Sequence, residues 1–261
     1  LTAVNDASGS GYWVITQFTD NFYAFKVTTT GVSSTPVKST VGPSVPTFGY
    51  RRNAIGYLKV SPNGEKLAAA YDQIDTATSP YNNYKGSVYI FDFDALTGAV
   101  FNPKLILTEV KAYGVEFSTN SKVLYASFNC SVDNSYLLAQ FDLLSIDIPN
   151  SKTEIFSGSY GIGALQLAPN KKNYYCTYNL NSLAIINNPD VLGLGCNFDE
   201  AGQPLANNTS RLLGLPPFIT SFFDAFFDVK KLCFGAATEF TKCNTSDNSS
   251  QLGSWRWNFF D

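Results

Sequence analysis

Short runs of alternating apolar and polar residues, each ended by Gly, Asn, Asp or Ser, make up most of this chain. In GYWVITQF, Tyr12, Val14 and Thr16 alternate with Trp13 and Ile15. In NFYAFKVT, Phe22, Ala24 and Lys26 alternate with Tyr23, Phe25 and Val27. A period of two over runs this short predicts hairpin strands and excludes amphipathic helices. VKSTVG, from Val37 to Gly42, follows as an outer strand. The stretch from Asn53 to Gly98 gives the fullest statement of the pattern. AIGYLKVS is a strand, Pro62-Asn63-Gly64 a turn and KLAAAYD a second strand. A polar insertion from Ile74 to Lys85 precedes a third strand, SVYIFDFD, and KLILTEV supplies a fourth. Pro presets φ and Asn-Gly tolerates positive φ, which is the chemistry this turn needs.

The order recurs. YGVEFS, the turn Thr119-Asn120-Ser121, KVLYASFN, an insertion from Cys130 to Ser135, YLLAQFDL and TEIFSGS form one copy. GALQLAPN, NYYCTYN and SLAIINNP form another. Ser61, Ser118 and Ala168 mark the same point in successive copies, 57 and 50 residues apart. Four short strands recurring at such intervals predict propeller blades, each a small sheet that buries its faces only by stacking on its neighbours. The first two strands of each copy should lie nearest the axis. A parallel α/β architecture is excluded because no helical segment separates the strands. The expected fold is therefore all-β: a partial β-propeller of about four four-stranded blades over residues 1–215.

The pattern changes afterwards. LLGLPPFITSFFDAFFD reads as a hydrophobic closing segment and linker at 216–228, extended at least at Pro216-Pro217. Residues 229–261 read as the truncated start of a separate β-sandwich. Because the chain opens at Leu1 inside a strand-like pattern and contains no Met, it is expected to be an internal part of a longer polypeptide, with further blades before Leu1.

Composition narrows the chemistry. With 44% hydrophobic and only 15% charged residues the chain is a folded one. A net charge of −3 with scattered Lys and Arg lacks the footprint of a nucleic-acid binder, and no apolar run is long enough to span a bilayer. The chain has no His, which removes imidazole general bases, Ser-His-Asp triads and His-ligated metals. The five cysteines show no C-x-x-C spacing. One disulfide, for example between Cys233 and Cys243, is compatible with the sequence. No cofactor or metal site is expected: Asp72 and Asp75 lack the Gly and terminal Glu of a calcium loop.

Asp92 and Asp142 occupy matching places, with Asn187 in the corresponding position of the last copy. Paired carboxylates suit acid–base work or cation binding. Their repetition favours a structural part instead, accepting backbone N–H groups in the turn after the third strand. Most aromatics are expected between blades. Tyr81 and Tyr84, in the polar insertion, are the candidates for an exposed ligand-contact loop.

LTAVNDASGSGYWVITQFTDNFYAFKVTTTGV, NAIGYLKVSPNGEKLAAAYD, SVYIFDFDALTG, YGVEFS, LQLAPNKKNYY, LAIINNPDVLGLGCNF and GLPPFITSFF, spanning Leu1 to about Phe223, resemble in this order the propeller region of large Bacteroidota proteins. These are surface and gliding-motility-associated proteins exported by the type 9 secretion system. The tail CFGAATEFT…SWRWNFFD is similar to the opening of a PKD domain, with Phe260 where that signature has Gly. The resemblance implies an extracellular or cell-surface location and a partnership with the type 9 secretion machinery through a C-terminal domain absent here. It supplies no catalytic residue. Asp75-Thr76-Ala77 matches the short O-glycosylation pattern of that phylum, which makes Thr76 a candidate glycan carrier. The sequence thus predicts a non-enzymatic interaction or adhesion module that binds a surface glycan or protein through the loops Ile74–Lys85, Cys130–Ser135 and Asn197–Ser210. The alternatives are a structural spacer, or a secreted propeller hydrolase or lyase. Such an enzyme would need carboxylates or a Lys/Tyr pair converging on the axis.

Overall fold

The computed structural model describes residues 1–216, 226–230 and 239–243, apart from 48–52, 54, 74–83, 131–132, 134, 160, 179, 208 and 211. The described part is nearly all β, in curled antiparallel sheets of the propeller-like kind. The first meander is β1 (Thr2–Asn5), β2 (Tyr12–Phe18) and β3 (Asn21–Thr28), with β4 (Gly31–Val32) and β5 (Val37–Thr40) both on β3. The second is β6 (Leu58–Val60), β7 (Lys66–Tyr71), β8 (Gly86–Asp94) and the first part of β9 (Ala99–Phe117). The third runs from the end of β9 through β10 (Val123–Cys130) and β11 (Tyr136–Asp142) to β12 (Thr153–Gly158). The fourth is β13 (Leu165–Leu167), β14 (Asn173–Tyr175), β15 (Ser182–Ile186) and β16 (Phe198–Pro204). A further hairpin pairs β17 (Phe226–Lys230) with β18 (Glu239–Cys243).

One connection departs from the sequence reading. KLILTEV and YGVEFS are predicted as two strands in different copies, yet both belong to the single strand β9. Its first part pairs with β8 and its last part with β10. Asn102 and Glu109 take left-handed φ values of 50° and 59° where the register against β8 shifts. Such bulges bend and coil a strand, so one strand can leave one sheet and open the next.

The three inner turns share one chemistry. Ser61 and Ser118 each accept the amide five residues on with their side-chain oxygen, at 2.9 Å in both turns. Asn63, Asn120 and Asn170 each accept the amide two residues on. Gly64, Ser121 and Lys171 follow with φ of 74°, 61° and 63°. Asn side chains satisfy such turns, and the left-handed position follows at modest cost even where it is not Gly.

Burial follows the period of two. Leu67, Ala69, Phe91 and Phe93 pack with Trp13, Ile15 and Phe22 of the first meander. Their neighbours Ala68, Ala70, Val88 and Ile90 face the other way, into a core with Val115, Phe117, Leu124 and Phe141. A third core joins Tyr125 and Leu138 to Leu165, Tyr175 and Ile186. Each internal sheet is therefore buried on both faces, and its hydrophobic stabilisation depends on its neighbours. Hydrogen bonds tie the same joints: Trp13 Nε1 donates to the Ala95 carbonyl at 2.8 Å, and Tyr71 Oη to Gln17 Oε1 at 2.6 Å.

Candidate functional site

The first strands of the meanders lie side by side. The Val60 amide donates to Thr2 Oγ1 at 3.3 Å, and the Tyr57 amide to the Tyr113 carbonyl at 2.8 Å. Each of three neighbouring inner strands carries one polar residue, two positions before the Ser61, Ser118 or Ala168 turn. These are Lys59 on β6, Glu116 on β9 and Gln166 on β13. Lys59 Nζ lies 2.8 Å from Glu116 Oε2 and 2.7 Å from Gln166 Oε1, so one ammonium joins three meanders. Glu116 Oε2 also accepts the Leu167 amide at 3.0 Å, and Oε1 accepts the Phe117 amide at 3.0 Å. Gln166 Nε2 donates to the Leu167 carbonyl at 2.9 Å. The side chains of Lys59 and Glu116 are only 7% and 1% exposed.

The arrangement has a definite electrostatic consequence. A carboxylate held by one ammonium and two backbone N–H groups is fixed in position. It in turn fixes the ammonium at the place where the inner strands converge. A buried pair of this kind is held together by costs: removing either partner strands the other charge in a dry site. The Tyr57 ring covers the ammonium from one side, its centroid 5.6 Å from Nζ, and packs edge-on against Tyr113 at 5.4 Å. Burial pushes the Tyr57 hydroxyl above its ordinary pKa, so it remains a hydrogen-bond donor at neutral pH.

The residues singled out from sequence lie elsewhere. Asp142 Oδ1 accepts the Leu144 amide in the turn after β11, at 2.9 Å. Asp92 does not cap a turn. It takes Lys66 Nζ at 2.5 Å and Asn102 Nδ2 at 2.7 Å, and the turn acceptor after β8 is Asp94, which takes the Leu96 amide. Asn187 bridges Lys172 Nζ and the Asn197 carbonyl, at 2.7 and 3.0 Å. Asp92 and Asn187 are thus cross-strand partners of the lysines that begin β7 and precede β14. Tyr84 is not exposed: it is buried at 6%, with Lys111 Nζ 4.7 Å from its ring centroid. Tyr81 and Thr76 lie outside the described residues, as do Cys233 and the side chain of Cys243. Cys130, Cys176 and Cys196 are in no disulfide among the described residues. Among the described residues no group of three or more His, Cys, Asp or Glu is placed to hold a metal, and no helix is long and apolar enough to cross a membrane.

The sequence reading missed the Lys59–Glu116–Gln166 cluster, although a signal was present. Aligned on their turns, LKVS, VEFS and LQLA each place one polar residue in an otherwise apolar inner strand. The residue type differs from copy to copy, so a search for repeated residues passes over it.

Neither the scan of family models nor the search of curated proteins gives a match. Solved structures do match. A protein named as a candidate 6-phosphogluconolactonase from Bacteroides uniformis aligns with a TM-score of 0.51 and 16% identity, over 80% of this chain and 55% of its own. A gluconolactonase from Xanthomonas campestris gives a TM-score of 0.39 and 12% identity, over 71% of this chain and 57% of its own. A prolyl endopeptidase structure gives 0.40 and 10%, over 79% of this chain and 29% of its own. At these identities the likeness shows the fold, and the chain spans about half the length of the lactonase relatives. The expectation of a non-enzymatic adhesion module meets a correction here: the structure that aligns with a TM-score of 0.51 carries a lactonase name, and at 16% identity what it shows is the fold.

Proposed function

We propose that the chain supplies about four blades of a larger propeller hydrolase acting on a lactone or related ester, with the axial cluster as the floor of its site. One observation carries this reading: Lys59, Glu116 and Gln166 come from three successive inner strands to a single buried point. Hydrolysis of a lactone places negative charge on the carbonyl oxygen in the transition state. A preorganised cation in a water-poor site is the group best suited to stabilise that charge. Lys59 Nζ fills this part, by exchanging its bond to Gln166 Oε1 for one to the substrate oxygen. Glu116 holds the ammonium in place, itself tied to the Phe117 and Leu167 amides. The group that activates water comes from the part of the ring outside this chain.

The test uses the natural protein that contains this chain, with a panel of sugar-derived and simple lactones. The folded double variant Lys59→Met/Glu116→Gln should lose about 10²–10³-fold in kcat, the scale of losing one oxyanion-stabilising group. Wild-type turnover in that folded double variant, or no hydrolysis of any panel member by the wild type, would defeat the proposal. A structural spacer is the second reading, and one observation favours it: the Lys59 ammonium and both Glu116 oxygens already have partners within the chain. The extracellular location and secretion-system partnership implied by the resemblance belong to the proposal as well. Fractionation of the native source, with the protein found only inside the cell, would remove them.

A further inference from the structure

After β16 the chain returns across the molecule, and residues 212–216 lie over the start of the inner strands. The Ala164 amide, just before β13, donates to the Leu213 carbonyl at 2.7 Å, and Cys176 Sγ lies 3.0 Å from the same oxygen. Two residues further on, Tyr57 Oη donates to the Leu215 carbonyl at 3.1 Å and accepts the Leu215 amide at 3.3 Å. Tyr57 precedes Lys59 by two residues on the second meander, and Ala164 precedes Gln166 by two on the fourth. The strap therefore bridges the strand openings on either side of Glu116. Its bond on the second-meander side is to the same Tyr57 whose ring covers the Lys59 ammonium.

The strap also lies at the variable end of the molecule. β7, β10 and β14 run antiparallel to the inner strands, so the connections that follow them emerge at this end. Recognition is commonly built on the connections at one end of a rigid sheet framework. The opposite end carries the short, repeated Ser/Asn turns. A ligand approaching Lys59 from the variable end meets the strap and the Tyr57 ring first. Among the described residues the strap is held through Ala164, Cys176 and the Tyr57 hydroxyl, and Leu212, Gly214 and Pro216 are exposed. Segments held in this way open locally at small free-energy cost.

We infer that residues 212–216 form a latch over the axial cluster, released at the Tyr57 hydroxyl, which must lift before a small ligand reaches Lys59. The inference rests on the axial cluster being the site proposed above, but its test does not require turnover. In the natural protein, Tyr57→Phe removes both hydroxyl bonds and keeps the ring. Amide exchange at Leu215 and Ala164 should rise about tenfold, while Phe117 and Leu167, bonded to Glu116, stay unchanged. Modification of Lys59 by a small amine-reactive reagent, followed by peptide mass spectrometry, should rise several-fold relative to Lys66. Unchanged exchange in the strap overturns the latch, and so does faster exchange with unchanged Lys59 labelling. Faster labelling in a protein that cleaves no lactone sustains the latch and defeats the hydrolase reading instead.

Discussion

Lys59→Met is the most informative single perturbation, because burial and pairing at this site give its cost a definite origin. Methionine replaces the aliphatic stem closely and deletes the ammonium. Glu116, 1% exposed, then keeps its bonds to the Phe117 and Leu167 amides but loses its counter-charge. Gln166 Oε1 loses its donor as well. Breaking one side of a buried ion pair costs about 3–5 kcal/mol, far above the ~0–1 kcal/mol of an exposed pair. For a protein of this size that corresponds to a fall in Tm of roughly 6–20 °C. Lys59→Met, Glu116→Gln and the double variant should be melted by urea and by heat with two probes each. The double variant should recover much of the loss, because no unpaired charge remains, giving a coupling of about 1–3 kcal/mol. A loss below about 1 kcal/mol for Lys59→Met, or strictly additive effects, would show that the three inner strands are not joined through this ammonium.

Other residues give independent checks. Tyr84→Ala should destabilise by about 3–5 kcal/mol in urea unfolding, as a buried aromatic does, where an exposed contact residue would be nearly neutral. At Gly163 an added Cβ would lie 1.8 Å from the Cys176 carbonyl, and at Gly56 1.8 Å from the equivalent Ala70 carbonyl. Gly163→Ala should therefore lower Tm sharply, and an unshifted melt would contradict the close approach of those strands. For Asp6, burial raises the carboxyl pKa, but Lys26, Ser8 and the Gly11 amide outweigh it and hold the group below its ordinary value. A depressed folded pKa stabilises above the unfolded value of about 3.9, and that contribution is lost as pH falls through the folded value. Asp6→Asn should thus cost stability at pH 7, by about 1 kcal/mol after screening at the half-exposed Lys26, and progressively less as pH falls through the depressed folded value. Tyr125→Phe should cost about 1–3 kcal/mol, since its hydroxyl donates to Pro189 and accepts from Gln140, and should speed exchange of the Gly193 amide.

The sequence by itself determined the strands, their turns and their grouping into repeats. Those follow from local rules: alternation of side chains across a pleated strand, and Asn, Ser and Gly at positions that need a left-handed or side-chain-capped turn. Ser61, Asn63 and Gly64 state that rule, and their counterparts at Ser118 and Ala168 repeat it. Tertiary structure decided what the copies do not share. Whether β9 breaks into two strands depends on bulges at Asn102 and Glu109, which have no strong local signature. Tyr84 looks exposed in a polar insertion but is buried against Lys111, because burial belongs to the packed assembly and not to neighbouring letters. Lys59, Glu116 and Gln166 are 57 and 50 residues apart and unlike in type. Only stacking the inner strands side by side makes them one charged cluster, since proximity between neighbouring sheets is set by how they pack and not by sequence spacing.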